Sequence, residues 1–256
     1  MPVYKNAFPI LEYDTEKVGV IRPDRNGRKQ LPPLCLMTFF GEVLANFIGQ
    51  SNAEEVSRYR SEMGEYPIYK ANYKNIELCL VQAVVGSASI AMMADMCIGC
   101  GVTKIIACGG CGVLTDIPPG DVIIPVSALR DEGASYHYLP PAREIILNQG
   151  VIRVMKETME RLHTPYIEAK TWTTDAFYRE TPDMIAYRKE EGCKVVEMEC
   201  ATLAAVSEFR GVSFGQLLYS GDILTDFTNY DERNWVDNLS AREKLFYLSL
   251  EALIRL

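Results

Sequence analysis

A chain of 256 residues is long enough to bury a substantial core, and 48% apolar with 23% charged residues is the balance of a globular protein without low-complexity tracts. A net charge of −8 with no Lys/Arg-rich run excludes a nucleic-acid-binding surface. The most apolar window, "LCLVQAVVGSASIAMMADMCIGCG", carries Gln82 and Asp95 and is broken by Gly86, so it reads as a strand and a helix rather than a membrane span. No signal-peptide core is visible near the start, and eight cysteines in that context predict free thiols in a reducing cytoplasm.

Residues 1–34 read as a lead-in, with a short strand "KVGVIR" and a polar loop closed by two prolines. "LCLMTFF" is strand-like. "SNAEEVSRYRSEMG" reads as a helix, with the capping box Ser51-x-x-Glu54 and a stop at Gly64. "IELCLVQAVV" is a strand and "SASIAMMADMCIGCG" a helix. "VTKIIACGG" and "DVIIPVSAL" are strands, and "EIILNQGVIRVMKETMERLH" is one long amphipathic helix. "CKVVEME" runs directly into the helix "CATLAAVSEFRG", and "FGQLLYS" is a strand. Ser240-x-x-Glu243 caps a last helix. Strands alternating with helices, with no repeat and no linker, predict a single α/β domain over residues 1–256 with a largely parallel central sheet.

Ligands of such sheets gather at the carboxyl ends of strands. The first candidate end is "CIGCGVTKIIACGGCG", with two C-x-x-C pairs. Only seven residues separate Cys100 from Cys108, and they form a turn and a strand, too little for a zinc ribbon to fold back. The cysteines read as small core residues and the site as metal-free, whereas Gly109, Gly110 and Gly112 let a ligand approach the backbone in a glycine turn. The second is "VVEMEC", where Glu197 and Glu199 end a buried strand and either meet a polar partner or cap the following helix. The third is "LLYSGDILT", where Asp222 either serves a ligand or bonds its own turn. On the helix expected at 51–64, Arg60 sits beside the apolar stripe of Val56, Tyr59 and Met63. It meets an anion or a partner subunit there, or it snorkels.

Together "VVEMECATLAAV", "GGCGVL", "PPGDVIIPVSALRDEGASYHYLPP" and "TTDAFYRE" resemble the purine-nucleoside/uridine phosphorylase family, from about residue 36 to 225 and in the family's order. The resemblance implies a three-layer α/β/α sandwich with a mixed, largely parallel sheet. It implies cleavage of a purine-like nucleoside by inorganic phosphate to free base and ribose 1-phosphate. No metal or organic cofactor is needed, and the enzyme is a homo-oligomer built from dimers, up to a hexamer. By the same resemblance Glu199 binds the ribose hydroxyls, Met198 lies against the sugar, and Phe177 stacks on the base with Tyr178 beside it. Asp222 protonates N7. Gly109, Gly110, Cys111, Gly112 and Glu197 complete the substrate walls. Arg60 reaches a neighbour's phosphate, and Gly86 lies by the acceptor. These residue types suit the chemistry. A carboxylate opposes positive charge building on the ribose, and an acid neutralises the departing base.

The departures concern the acceptor. "MTFFGEVL" replaces the glycine-rich phosphate turn and its arginine. Ala107 and Gly110 stand where the family keeps an arginine and a hydroxyl, and the N-terminal histidine given to a neighbour's ribose site is missing. Arg130, Arg179 or Arg22 is a substitute phosphate ligand, and Arg233 a support for Asp222. The alternatives are hydrolysis directed by Glu42, as in nucleosidases of the superfamily, or nucleoside binding without catalysis. "RDEGASYHYLPP" and "TTDAFYRE" also resemble AMP nucleosidase.

Overall fold

The structure is a computed structural model that describes residues 3–23, 30–225, 231 and 239–256. Its sheet starts with β1 (Leu34–Thr38), followed by α1 (Gly41–Gln50) and a three-stranded meander of β2 (Glu54–Ser61), β3 (Gly64–Tyr73) and β4 (Ile76–Gln82). Then come α2 (Ser87–Gly99), β5 (Lys104–Val113), β6 (Val122–Asp131), β7 (Glu144–Ile146) and α3 (Gln149–Arg161). The chain continues through β8 (Tyr166–Thr174), α4 (Pro182–Glu190), β9 (Cys193–Glu197), α5 (Cys200–Arg210), β10 (Ser213–Ile223) and α6 (Leu239–Leu253).

The run β4-β1-β5-β10 is parallel throughout. Leu36, Ile105, Ile106 and Leu217 are fully buried in it, as expected of strands covered on both faces. β10 turns antiparallel to β6, which pairs β8; β8 pairs β9, and β9 returns antiparallel to β5. Five strands (β5, β10, β6, β8 and β9) therefore close on themselves, and β1 to β4 extend from that ring as an open wing. Helices α1, α3 and α6 pack together on one side, and α2 and α5 on the other, so the mixed α/β layering expected from the sequence is present.

Three local readings change. Residues 54–73 form a hairpin, not a helix: Tyr59 pairs with Tyr66 across the strands, rings 6.1 Å apart, and Arg58 and Arg60 both ion-pair with Glu65. The apolar spacing of Val56, Tyr59 and Met63 fits a helix, but cross-strand pairing along an extended segment outweighs it. The helix of this region is α1, ten residues earlier. Second, the predicted long helix is split: Glu144–Ile146 joins β6, and Asn148 caps α3 by accepting from the N–H groups of Gly150 and Val151. Third, "KVGVIR" forms no strand. It lies on the surface with Val18, Val20 and Ile21 exposed, tied down where Arg210 donates to the Lys17 carbonyl at 2.9 Å. The last helix is described over Leu239–Leu253, so Ser240 lies inside it and is not its cap.

Because the Asn148 side chain satisfies two otherwise orphaned amides, Asn148→Ala should cost about 1 kcal/mol of stability. A chemical-denaturation midpoint that falls without a change in slope is the expected readout.

Candidate active site

A cavity of about 710 Å³ opens at the carboxyl ends of β1, β5, β9 and β10. Phe39, Phe40 and Gly41 follow β1 into it, Gly109 to Gly112 bring β5, and Val196 to Glu199 bring the β9–α5 junction. β10 contributes Gln216, Tyr219, Gly221 and Asp222, the segment after β8 contributes Phe177, Tyr178 and Glu180, and α6 contributes Arg242.

The β9–α5 junction fixes the two glutamates in different roles. Glu197 is buried, and its Oε2 accepts from the amides of Glu199 at 2.8 Å and Cys200 at 2.7 Å. Its Oε1 accepts from the hydroxyls of Thr173 at 2.6 Å and Thr171 at 3.3 Å. Glu197 thus caps α5 from three residues before the helix begins, which is a positioning task beside its place in the wall. Glu199 is equally buried, and one oxygen accepts from the Gly86 amide at 2.7 Å. Gly86 holds φ +94, a conformation that favours glycine, so this donor depends on the residue having no side chain. The Gly86 amide is thereby committed to the Glu199 carboxylate.

Burial, and then the charge of Glu197, pushes Glu199 up to about 8. Burial also raises Glu197, against the pull of its four donors. At about 8, Glu199 is poised to exchange a proton near neutral pH.

At the other end, Phe177 and Tyr178 form the rim, ring centroids 3.9 Å apart, with Tyr178 88% exposed. Asp222 lies within β10, at an irregularity of register between Ser220 and Ile223, and is not part of a separate turn. Glu180 lines the same wall. Burial, then the charge of Asp222, pushes its carboxyl up to about 8. Sequence reading passed over Glu180 because an acid just before a Thr-Pro helix start looks like a helix-end charge. Arg242 was passed over for the opposite reason: it lies on a terminal helix far from any motif. Its Nε donates to the Tyr219 hydroxyl at 3.4 Å.

The glycines near Cys111 belong to β5 itself, not to a turn. Cys111 is buried, with its thiol on the Tyr219 carbonyl at 3.4 Å. All eight cysteines are buried free thiols, so "CIGCGVTKIIACGGCG" is a helix end followed by a core strand. Ala107 is buried at 0% exposure.

The expected acceptor residues stand apart from this cavity. Arg60 is on the hairpin, its side chain 70% exposed and paired with Glu65 at 2.9 Å. Glu42 is exposed in the first turn of α1 and outside the lining. Arg130 donates to Ser135 and to the carbonyls of Pro140 and Leu139, Arg179 is exposed outside the lining, and Arg233 lies outside the described residues.

Residues 33–255 match the family model of the phosphorylase superfamily. The chain belongs to that superfamily. Within it, guanosine phosphorylase of Halorubrum lacusprofundi is 26% identical over 213 residues, covering 81% of this chain and 79% of that protein. The fold is shared with purine nucleoside phosphorylase of Toxoplasma gondii, solved with immucillin-H, at TM-score 0.76 and 18% identity over 90% of this chain and 93% of that one. It is shared too with AMP nucleosidase of Bacteroides thetaiotaomicron, at TM-score 0.70 and 23% identity over 88% of each chain. No helix among the described residues is long and apolar enough to cross a membrane.

The raised Glu199 carries a linked stability effect. A carboxyl whose folded pKa lies above its unfolded value destabilises the fold progressively as pH rises from about 4.5 to about 8. Glu199→Gln should therefore be more stable than the parent at pH 8 and nearly equal to it at pH 4.5, as measured by thermal unfolding across that range. An unchanged difference between the two pH values would contradict the raised carboxyl.

Proposed function

We propose that this superfamily member cleaves the N-glycosidic bond of a purine nucleoside of the guanosine or inosine type, with phosphate as acceptor. The products are the free base and ribose 1-phosphate. The observation that carries this reading is Glu199, buried, aimed by the Gly86 amide and backed by the Glu197 cap. Ribose hydroxyls that donate to Glu199 draw it into its ionised form. That carboxylate then opposes the positive charge developing on the ring.

At the base end, Asp222 protonates N7 as the C–N bond breaks, relieving charge on the leaving group. Glu180, on the same wall, takes the base's N1–H, a donor that 6-oxopurines have and adenine lacks. Phe177 and Tyr178 cover the base face. The guanosine phosphorylase among the relatives supports this base class. Arg60, exposed on the hairpin, is assigned to the acceptor site of a neighbouring protomer in a dimer-based oligomer. The reaction needs no metal or organic cofactor, and the protein works in the cytoplasm.

One observation favours hydrolysis as a second reading. The acceptor end is walled by Phe39, Phe40 and Tyr219, and the fold is shared with an AMP nucleosidase. Base release from guanosine, inosine, adenosine and uridine with and without phosphate separates the two. Phosphorolysis predicts release from guanosine and inosine that stops when phosphate is removed; equal release in phosphate-free buffer supports water instead. Glu199→Gln should lower turnover by about a hundredfold or more. Glu180→Gln should lower kcat/KM for guanosine by about tenfold while changing that for adenosine by less than about threefold, in steady-state assays. Equal losses on both bases would remove Glu180 from base recognition.

A further inference from the structure

Once a nucleoside sits on Glu199 and Asp222, part of the cavity remains, and its walls differ from the carboxylate end. Phe39, Phe40 and Gly41 bound it on one side, Gly109 and Gly110 on another, and Gln216 lines it from β10. A side chain at residue 109 would put its Cβ 2.9 Å from the Phe39 ring, and one at residue 110 would lie 3.2 Å from the Tyr219 ring. Rings therefore occupy the space beside the glycines of β5.

Two independent features offer hydrogen bonds there. The ten-residue helix α1 begins at Gly41, and its N-cap, Phe40, has no side-chain group to give the first amides. Such a helix end favours an anion. The second is Gln216, 1% exposed and level with Ala107 in the strand pairing. Its Oε1 has no hydrogen-bond partner among the described residues, although buried carboxamides are almost always bonded. A ligand that completes it must present an O–H to Oε1 and, beside it, an oxygen that accepts from the Nε2 amide. Hydrogen phosphate has both, and its remaining anionic oxygens suit the amides of α1.

We infer that Gln216 and the amino end of α1 belong to the acceptor subsite and hold hydrogen phosphate through hydrogen bonds of the carboxamide and the helix amides. This rests on the reading that phosphate is the acceptor. The attacking group must approach the sugar from the face opposite the departing base, which puts it across Glu199 from Asp222. With Oε1 fixing the protonated oxygen, an unprotonated oxygen is left to attack. Its lone pair forms the bond to C1′, and the C1′–N9 pair passes to the base as N7 takes the Asp222 proton. The proton kept by the sugar phosphate leaves to solvent, and Asp222 is reprotonated from solvent.

The test is steady-state kinetics with inorganic phosphate on the full chain and on Gln216→Leu, with guanosine binding by calorimetry as the check that the variant is folded. The KM for phosphate should rise about tenfold or more in Gln216→Leu, while the KM for guanosine stays within about twofold. Gln216→Glu, nearly the same size, should raise the phosphate KM further by repulsion, and it decides the matter if Gln216→Leu fails to bind guanosine. An unchanged phosphate KM in a variant that binds guanosine overturns the role of Gln216 and leaves phosphorolysis standing. Release by the parent protein that ignores phosphate overturns phosphorolysis and this subsite with it.

Discussion

Two buried glutamates stand two residues apart at the end of one strand, and water cannot screen them from each other. A pair of this kind persists only if its members are given different surroundings. Glu197 receives four donors, two from the start of α5 and two from threonines of β8. Glu199 receives the Gly86 amide at the start of α2. The junction thereby ties β8, β9, α2 and α5 to a single point, and the cavity is built around that point. Asp175 strengthens the tie by accepting from the Ser87 hydroxyl at 2.5 Å and the Gly133 amide at 2.8 Å.

A second raised carboxyl lies at the other end of the cavity, where burial and the charge of Asp222 hold Glu180 near 8. Acids with raised values at both ends leave the empty cavity able to take up or give a proton near neutrality without a histidine. The end lined by Phe39, Phe40 and Gln216 follows a different logic, with aromatic rings filling the space beside the glycines of β5.

The strands of the core were legible because each is a short apolar run bounded by turn residues, and "VVEMEC" was legible because two glutamates in such a run are costly. The hairpin at 54–73 was not. Its apolar residues fall at helical spacing, and what fixes it is pairing with Tyr66 and Glu65, a cross-strand fact with no signature inside residues 51–64. Gly109, Gly110 and Gly112 were read as a turn because glycine density marks turns more often than it marks a strand whose neighbours' rings fill the empty space. Gln216, Glu180 and Arg242 carry no motif at all. They belong to the cavity because β10, the segment after β8, and α6 converge on it, and only the assembled topology shows that.

The claim that orders this account is that burial and the neighbouring Glu197 hold the Glu199 carboxyl at about 8. Titration of glutamate side-chain carboxyls by carbon NMR on the unliganded protein tests it directly. Glutamate signals should titrate near pH 8, one lost in Glu199→Gln and another in Glu180→Gln. A Glu199 signal that titrates with ordinary carboxylates, at about 4.3, would contradict the arrangement on which the cavity is built.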